Sequence, residues 1–114
     1  MRESEIEAKF RDAVKAAGGK AFKFVSPGNA GVPDRIVVLP GNKIGFVELK
    51  QKGKKTTKLQ KVQIQKLLNL GFYATVLDSP YRIPGVLEDI KRTPLPVAEL
   101  KQVRDHLRSQ GHLL

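Results

Sequence analysis

Arg35-Ile36-Val37-Val38-Leu39-Pro40-Gly41-Asn42-Lys43-Ile44-Gly45-Phe46-Val47-Glu48-Leu49-Lys50 is the stretch on which the fold turns. Arg35 to Leu39 is apolar nearly throughout, which predicts a strand buried on both faces. Pro40-Gly41-Asn42 reads as a tight turn, and Ile44 to Lys50 as the next strand. So short a connection makes the pair an antiparallel hairpin. Side chains on a strand alternate between faces, so Glu48 and Lys50 point the same way. The hairpin brings the start of its first strand opposite the end of its second, which sets Asp34 beside Glu48. Two carboxylates and an amine thus converge at one end of a buried sheet, flanked by Ile36, Val37, Val38, Phe46, Val47 and Leu49.

On the N-terminal side, Ile6, Phe10, Ala13, Val14 and Ala17 recur at helical spacing and predict a helix over 4–17. Ser4 serves as its N-cap with Glu7 three places on, a capping-box pattern, and Gly18-Gly19 ends it. Ala21 to Val25 is short and extended, and Ser26 to Gly31 is a loop. On the C-terminal side, a basic loop over 51–58 leads into a second helix at about 57–70, with Thr57 as N-cap and Gly71 just beyond its end. Phe72 to Leu77 is another strand. The helix before it predicts a parallel crossover. The tail carries Pro80, Pro84, Pro94 and Pro96, and short helices fit near Val86–Lys91 and Val97–Ser109. This αβββαβ core with a helical tail describes an α/β fold with a mixed sheet. The expected organisation is one domain over 1–114, with its core at about 3–78 and its tail at about 84–110. Leu100, Val103 and Leu107 form an apolar stripe on the last helix, suited to core packing or, alternatively, to a dimer seam.

The 114 residues include 21 Lys and Arg against 11 Asp and Glu, a formal net charge of +10. Such a surplus favours an anionic partner. Nucleic acid comes first, because Lys and Arg displace counterions from phosphates. A membrane surface would call for a basic amphipathic helix with aromatic anchors, and none is evident. The chain has no cysteine, which excludes a disulfide framework and a thiolate zinc site. Met1 to Glu5 is charged rather than apolar, and no run approaches the ~20 apolar residues of a membrane span. The expectation is a soluble, cytoplasmic protein without a secretion signal.

Carboxylates held side by side repel and resist desolvation. A divalent cation removes that penalty. Mg²⁺ suits the set, since one or two carboxylates, waters and a substrate phosphate commonly hold it, and Mn²⁺ is expected to substitute. Such an ion polarises a phosphodiester and readies a water. Asp34 and Glu48 are the candidate ligands, with the backbone carbonyl of Leu49 as a candidate to complete the shell, and Lys50 is placed either to stabilise developing negative charge or to help deprotonate the attacking water. Taken singly, Asp34 after Pro33 is a common turn feature and Glu-x-Lys a common surface ion pair. Their convergence at the ends of apolar strands sets them apart.

Gln60 shares a helix face with Ile64, Leu67 and Leu68 and so needs a polar partner. Either the acidic end of the sheet supplies one, or Gln60 is a half-exposed first-turn residue. Glu7 borders the buried face between Ile6 and Phe10; it belongs either to the site or to the capping box, with Glu3 one turn earlier as the fallback. Lys52, Lys54, Lys55 and Lys58 leave the end of the acidic strand, placed for phosphate contact or for a solvated loop. Asn29, in the Ser26–Gly31 loop, and Arg35 are the candidates for further contacts. His106 and His112 lack metal-ligand spacing and are expected to take no part in chemistry.

Pro33-Asp34 with Glu48-Leu49-Lys50 resembles the PD-(D/E)xK nuclease superfamily. Gly31-Val32-Pro33-Asp34-Arg35, Phe46-Val47-Glu48-Leu49-Lys50 and Leu59-Gln60, in that order, resemble the VRR-NUC family over roughly Glu3 to Asp78. The resemblance implies a restriction-endonuclease-like fold and divalent-metal-dependent cleavage of DNA leaving a 5′-phosphate. Small stand-alone members, from viruses and bacteria, are associated with four-way junctions and act as homodimers. Asp34 and Glu48 match the family's metal ligands, Lys50 its catalytic lysine, Glu7 the acid of its first helix and Gln60 the glutamine of its second. One departure is the absence of Val-Arg-Arg; Asp34-Arg35-Ile36 stands in that neighbourhood. A flap or non-specific DNA nickase with the same site is the alternative within the class. A non-catalytic nucleic-acid-binding module is the alternative outside it.

Overall fold

The hairpin turns through Gly41 and Asn42, whose φ angles of 84° and 65° lie in the region open to glycine and tolerated by asparagine. Its strands pair with Ile36 opposite Phe46 and Val37 opposite Gly45. Around it, a computed structural model describes residues 1–114. In chain order the elements are α1 (Glu3–Ala16), β1 (Lys20–Lys23), β2 (Arg35–Leu39), β3 (Lys43–Leu49), α2 (Lys58–Asn69), β4 (Ala74–Leu77), a 3₁₀ turn (Pro80–Arg82), α3 (Ile83–Lys91) and α4 (Val97–Ser109). The strands lie in the order β1-β2-β3-β4. The first two pairings are antiparallel and β3–β4 is parallel, as expected of a mixed sheet with one helical crossover.

Alternation along β3 divides the core. Val37, Gly45, Val47 and Leu49 face α1 and α3. A Cβ on Gly45 would lie 2.8 Å from the Ile90 side chain, so only glycine lets α3 approach this closely. Phe46 and Glu48 face the opposite way, toward α2. Ile6, Phe10 and Val14 of α1, Ile64 and Leu68 of α2, and Ile90 of α3 are wholly buried. Each such side chain contributes roughly 1.5–3 kcal/mol through its removal from water.

Several local expectations change: β1 ends at Lys23 rather than Val25, β3 spans Lys43–Leu49 rather than Ile44–Lys50, and β4 starts at Ala74 rather than Phe72. Helix α1 begins at Glu3, and the cap position is Arg2, with no side-chain cap. Ser4 and Glu7 therefore lie inside the helix and form no capping box. Strand β1 starts at Lys20 rather than Ala21. Strand β2 is fully buried only at Val37 and Leu39; α2 packs on β4 rather than over β2, leaving Ile36 and Val38 half-covered. Helix α3 begins three residues before Val86, because Pro84 falls in its first turn, where the missing N–H costs nothing.

Leu100 and Leu107 of α4 are buried in the same apolar cluster as the sheet, and Val103 packs against it. The stripe is core packing, and the dimer-seam alternative for it falls away. No helix is long and apolar enough to cross a membrane.

Candidate active site

Arg35 pairs with Val47, so the next step along the ladder sets Asp34 opposite Glu48, on the face toward α2. The Asp34 carboxylate accepts the Leu49 amide N–H at 2.8 Å, which pins it across the strand end. Glu48 is 2% exposed. Its Oε2 accepts from the Gln60 side-chain amide at 2.9 Å and lies 3.6 Å from Lys50 Nζ. Its Oε1 is buried and has no hydrogen-bond partner.

That arrangement makes ionisation of Glu48 costly. Burial pushes its pKa from 4.5 up to about 8, the Asp34 charge adds to the rise, and Lys50 opposes it. A buried carboxylate with one oxygen unsatisfied is expensive to keep. A hard divalent cation is the partner that such an oxygen, beside a second carboxylate, accommodates. The residues present therefore fit the metal. No group of three or more Asp, Glu, His or Cys side chains is placed to hold a metal ion.

Gln60 fulfils both of its readings at once. It closes a capping box with Thr57, whose hydroxyl accepts from the Gln60 amide N–H while the Gln60 side-chain oxygen accepts from the Thr57 N–H. Its amide nitrogen remains free to reach Glu48. The loop before Asp34 fixes this helix end. Gly31 has φ 88°, and a Cβ there would lie 2.7–2.9 Å from the Leu59 and Gln60 backbone. Gln63 also donates to the Ala30 carbonyl at 3.3 Å.

Two expectations are corrected. Glu7 does not join the acidic pair: it forms an ion pair with Arg35 at 2.7 Å. Arg35 points with Val37 to the α1 face, and that geometry draws Glu7 away. Glu3, the fallback, is the α1 acid whose charge reaches Glu48, raising its pKa slightly. Arg35 is not a free phosphate contact either. Its guanidinium is held by Glu7 and by the Ala21 carbonyl and is 13% exposed.

Lys52, Lys54, Lys55 and Lys58 are exposed and enter no ion pair. Asn29 is exposed and bonds within its own loop, to Ser26 Oγ at 3.0 Å. His112, for which the sequence suggests no role, has a structural one. It is buried, bonded through Nδ1 to Thr56 Oγ1, with Nε2 3.8 Å from Asp78. Burial lowers its pKa despite Asp78.

No family model matches the chain. It is 49% identical over 79 residues to "Putative nuclease p44" of Acyrthosiphon pisum secondary endosymbiont phage 1, a match covering 69% of this chain and 85% of that relative. A solved structure described as a VRR_NUC domain aligns with a TM-score of 0.70 at 26% identity, over 75% of this chain and 94% of that chain. The mixed sheet, its helical crossover and the carboxylates at its end define the restriction-endonuclease-like class. The chain belongs to the VRR-NUC nuclease family.

Proposed function

We propose that this protein is a divalent-metal-dependent endodeoxyribonuclease that uses Asp34, Glu48 and the Leu49 carbonyl to hold Mg²⁺, with Mn²⁺ able to substitute. The observation that carries this reading is the buried oxygen without a partner on Glu48, a residue that stands opposite Asp34 in a chain of a nuclease family. When bound, the metal supplies Lewis-acid stabilisation to a phosphodiester and its leaving oxygen. Gln60 orients Glu48 by holding Oε2. The Lys50 ammonium, on the same strand face, stabilises charge developing on the phosphate. Lys52, Lys54, Lys55 and Lys58 contact flanking phosphates, with Asn29 on the loop opposite. Hydrolysis leaves a 5′-phosphate.

The proposed substrate is a four-way DNA junction, nicked by a homodimer in the cytoplasm of a bacterial or phage-infected cell. Two-fold symmetry in the enzyme matches two-fold symmetry in that substrate, and the family resemblance points the same way. The whole chain, tail included, serves as one nuclease domain. The test is cleavage of end-labelled junction, flap, single-stranded and duplex DNA with Mg²⁺, with Mn²⁺ and with chelator, comparing wild type with Glu48→Ala. Paired metal-dependent nicks in the junction, absent from the variant, support the proposal. Cleavage confined to flaps, or spread over every substrate, discards the junction role. A folded protein that binds DNA and cuts nothing with either metal overturns the enzyme reading.

A further inference from the structure

A groove of about 630 Å³ runs between the second half of α1 and strand β1. Arg11, Lys15, Lys20, Phe22, Lys23 and Arg35 line it, with Asp12 its one acid; the register points Lys23 to the α1 face and Lys20 and Phe22 round the edge strand to the opposite face. Arg11, Lys15, Lys20 and Lys23 are exposed and enter no ion pair, whereas Arg35 is held by Glu7. Arg11 and Lys15 are four residues apart on α1 and so share a face. Phe22 is 46% exposed, and Lys20 Nζ sits 4.8 Å from its ring centroid. Lys23 and Arg35 also border the smaller, separate pocket that contains Asp34, so the two pockets are neighbours. The groove lies on the far side of the acidic end of the sheet from the Lys52–Lys58 segment.

Ordinary structural reasons cover only part of this. Lysines on an edge strand discourage pairing with another chain, which accounts for Lys20 and Lys23. A cation in the last helical turn complements the helix dipole, which accounts for Lys15. Neither explains Arg11, or a half-exposed aromatic ring set among cations. A cationic track with an aromatic platform is the construction that binds single-stranded nucleic acid. The cations follow the phosphodiester backbone and the ring stacks a base, largely without regard to sequence.

We infer that the exposed edge formed by α1 and β1 is a second nucleic-acid site, which seats a single strand of nucleic acid across the edge strand, with phosphates on Arg11, Lys15 and Lys23 on the α1 face and on Lys20 beside a base stacked on Phe22 on the opposite face. The inference rests on the nucleic-acid reading proposed above, but not on catalysis.

The test is fluorescence anisotropy of a labelled oligothymidine single strand and a labelled duplex, in chelator so that nothing is cut, over a range of salt. The variants are Lys15→Gln/Lys20→Gln/Lys23→Gln, Phe22→Ala and Phe22→Leu, each checked for folding by circular dichroism. The triple variant is expected to weaken single-strand binding by about tenfold or more. Its salt dependence should flatten by about two units of slope, at about 0.7 for each phosphate that is no longer neutralised. Both Phe22 variants are expected to weaken single-strand binding by at least about fivefold and duplex binding by less than about twofold; Phe22→Leu keeps the packing while removing the stack. Wild-type affinity in the triple variant, or equal losses on both DNAs at Phe22, overturns the inference. So does a change of oligomeric mass in these variants by light scattering, which would make the groove a contact between copies. A wild type that cuts nothing with either metal, beside variants that lose single-strand binding, defeats the nuclease reading and leaves the groove standing. A wild type that cuts, beside variants that bind and cut as it does, has the reverse meaning.

Discussion

The Gln60 side chain lies between two tasks: its oxygen caps α2 at Thr57, and its nitrogen donates to Glu48 Oε2 at 2.9 Å. Glutamate also serves at this capping-box position, so Gln60→Glu is expected to keep the helix start while replacing the donor with a charge facing Glu48. Cleavage should fall by about tenfold or more, the size expected for a lost hydrogen bond to a charged group, with far less change in circular dichroism. Gln60→Ala should lose both helix stability and activity. Equal activity in wild type and Gln60→Glu would remove Gln60 from the site.

Glu48 makes metal-free stability depend on pH in an unusual direction. Its folded pKa is raised from 4.5 to about 8, so between those values the unfolded chain has released a proton that the folded chain keeps. Stability in chelator should therefore fall as pH rises from about 4.5 to about 8, by on the order of a few kcal/mol. Burial lowers the His112 pKa below 6.5, which acts oppositely: its contribution is present above 6.5 and is lost as pH falls toward the folded value. Glu48→Gln removes the first effect alone. Denaturant melts of both proteins across this range should diverge, with the variant gaining relative stability as pH rises. Parallel curves would contradict the burial of an unpaired carboxylate.

The Glu7–Arg35 pair gives a test of which α1 acid belongs to the site. Glu7→Gln leaves the nearly buried Arg35 guanidinium without its counter-charge, and a cost of about 1–3 kcal/mol is expected, reduced from the fully buried case because Glu7 is partly exposed. Thermal melting should register this loss, while cleavage below the melting transition changes by no more than a few fold. A collapse of cleavage with unchanged stability would return Glu7 to the metal site.

Gly31→Ala should be costly twice over. The φ of 88° is unfavourable for alanine, and the new methyl would lie 2.7 Å from the Leu59 backbone. A loss of about 2 kcal/mol or more is expected. Because the start of α2 must move, cleavage should also drop in the protein that remains folded. An unaltered melting temperature would mean that the loop and helix are not packed as described.

How much of the fold and site is legible in the sequence follows from the range of each signal. The hairpin, the Asp34–Glu48 juxtaposition, the parallel crossover and the Thr57 cap all rest on turn chemistry and side-chain period, which act within a few residues. Gln60 is legible because a polar group on an apolar stripe needs a partner. Glu7 is not, because its fate depends on Arg35, 28 positions away, and on which sheet face α1 covers. Pro84 misleads because a proline ends a helix or begins one according to its place in the first turn. His112 gives no local sign, since its partners Thr56 and Asp78 come from other parts of the fold.

Those His112 contacts bear on the segment that follows Lys50. The Lys50 amide is tied to the Leu77 carbonyl at 3.0 Å, and Thr56 is tied to His112. Only Gln51 to Lys55 span the interval, with an internal bond from the Lys54 amide to the Gln51 carbonyl. A loop fixed at both ends explores few conformations before it meets a partner and so surrenders little conformational entropy on association. In the proposed DNA contact, Lys52, Lys54 and Lys55 would then turn most of their electrostatic attraction into affinity, and releasing the His112 anchor would weaken that contact without removing a single positive charge from the loop.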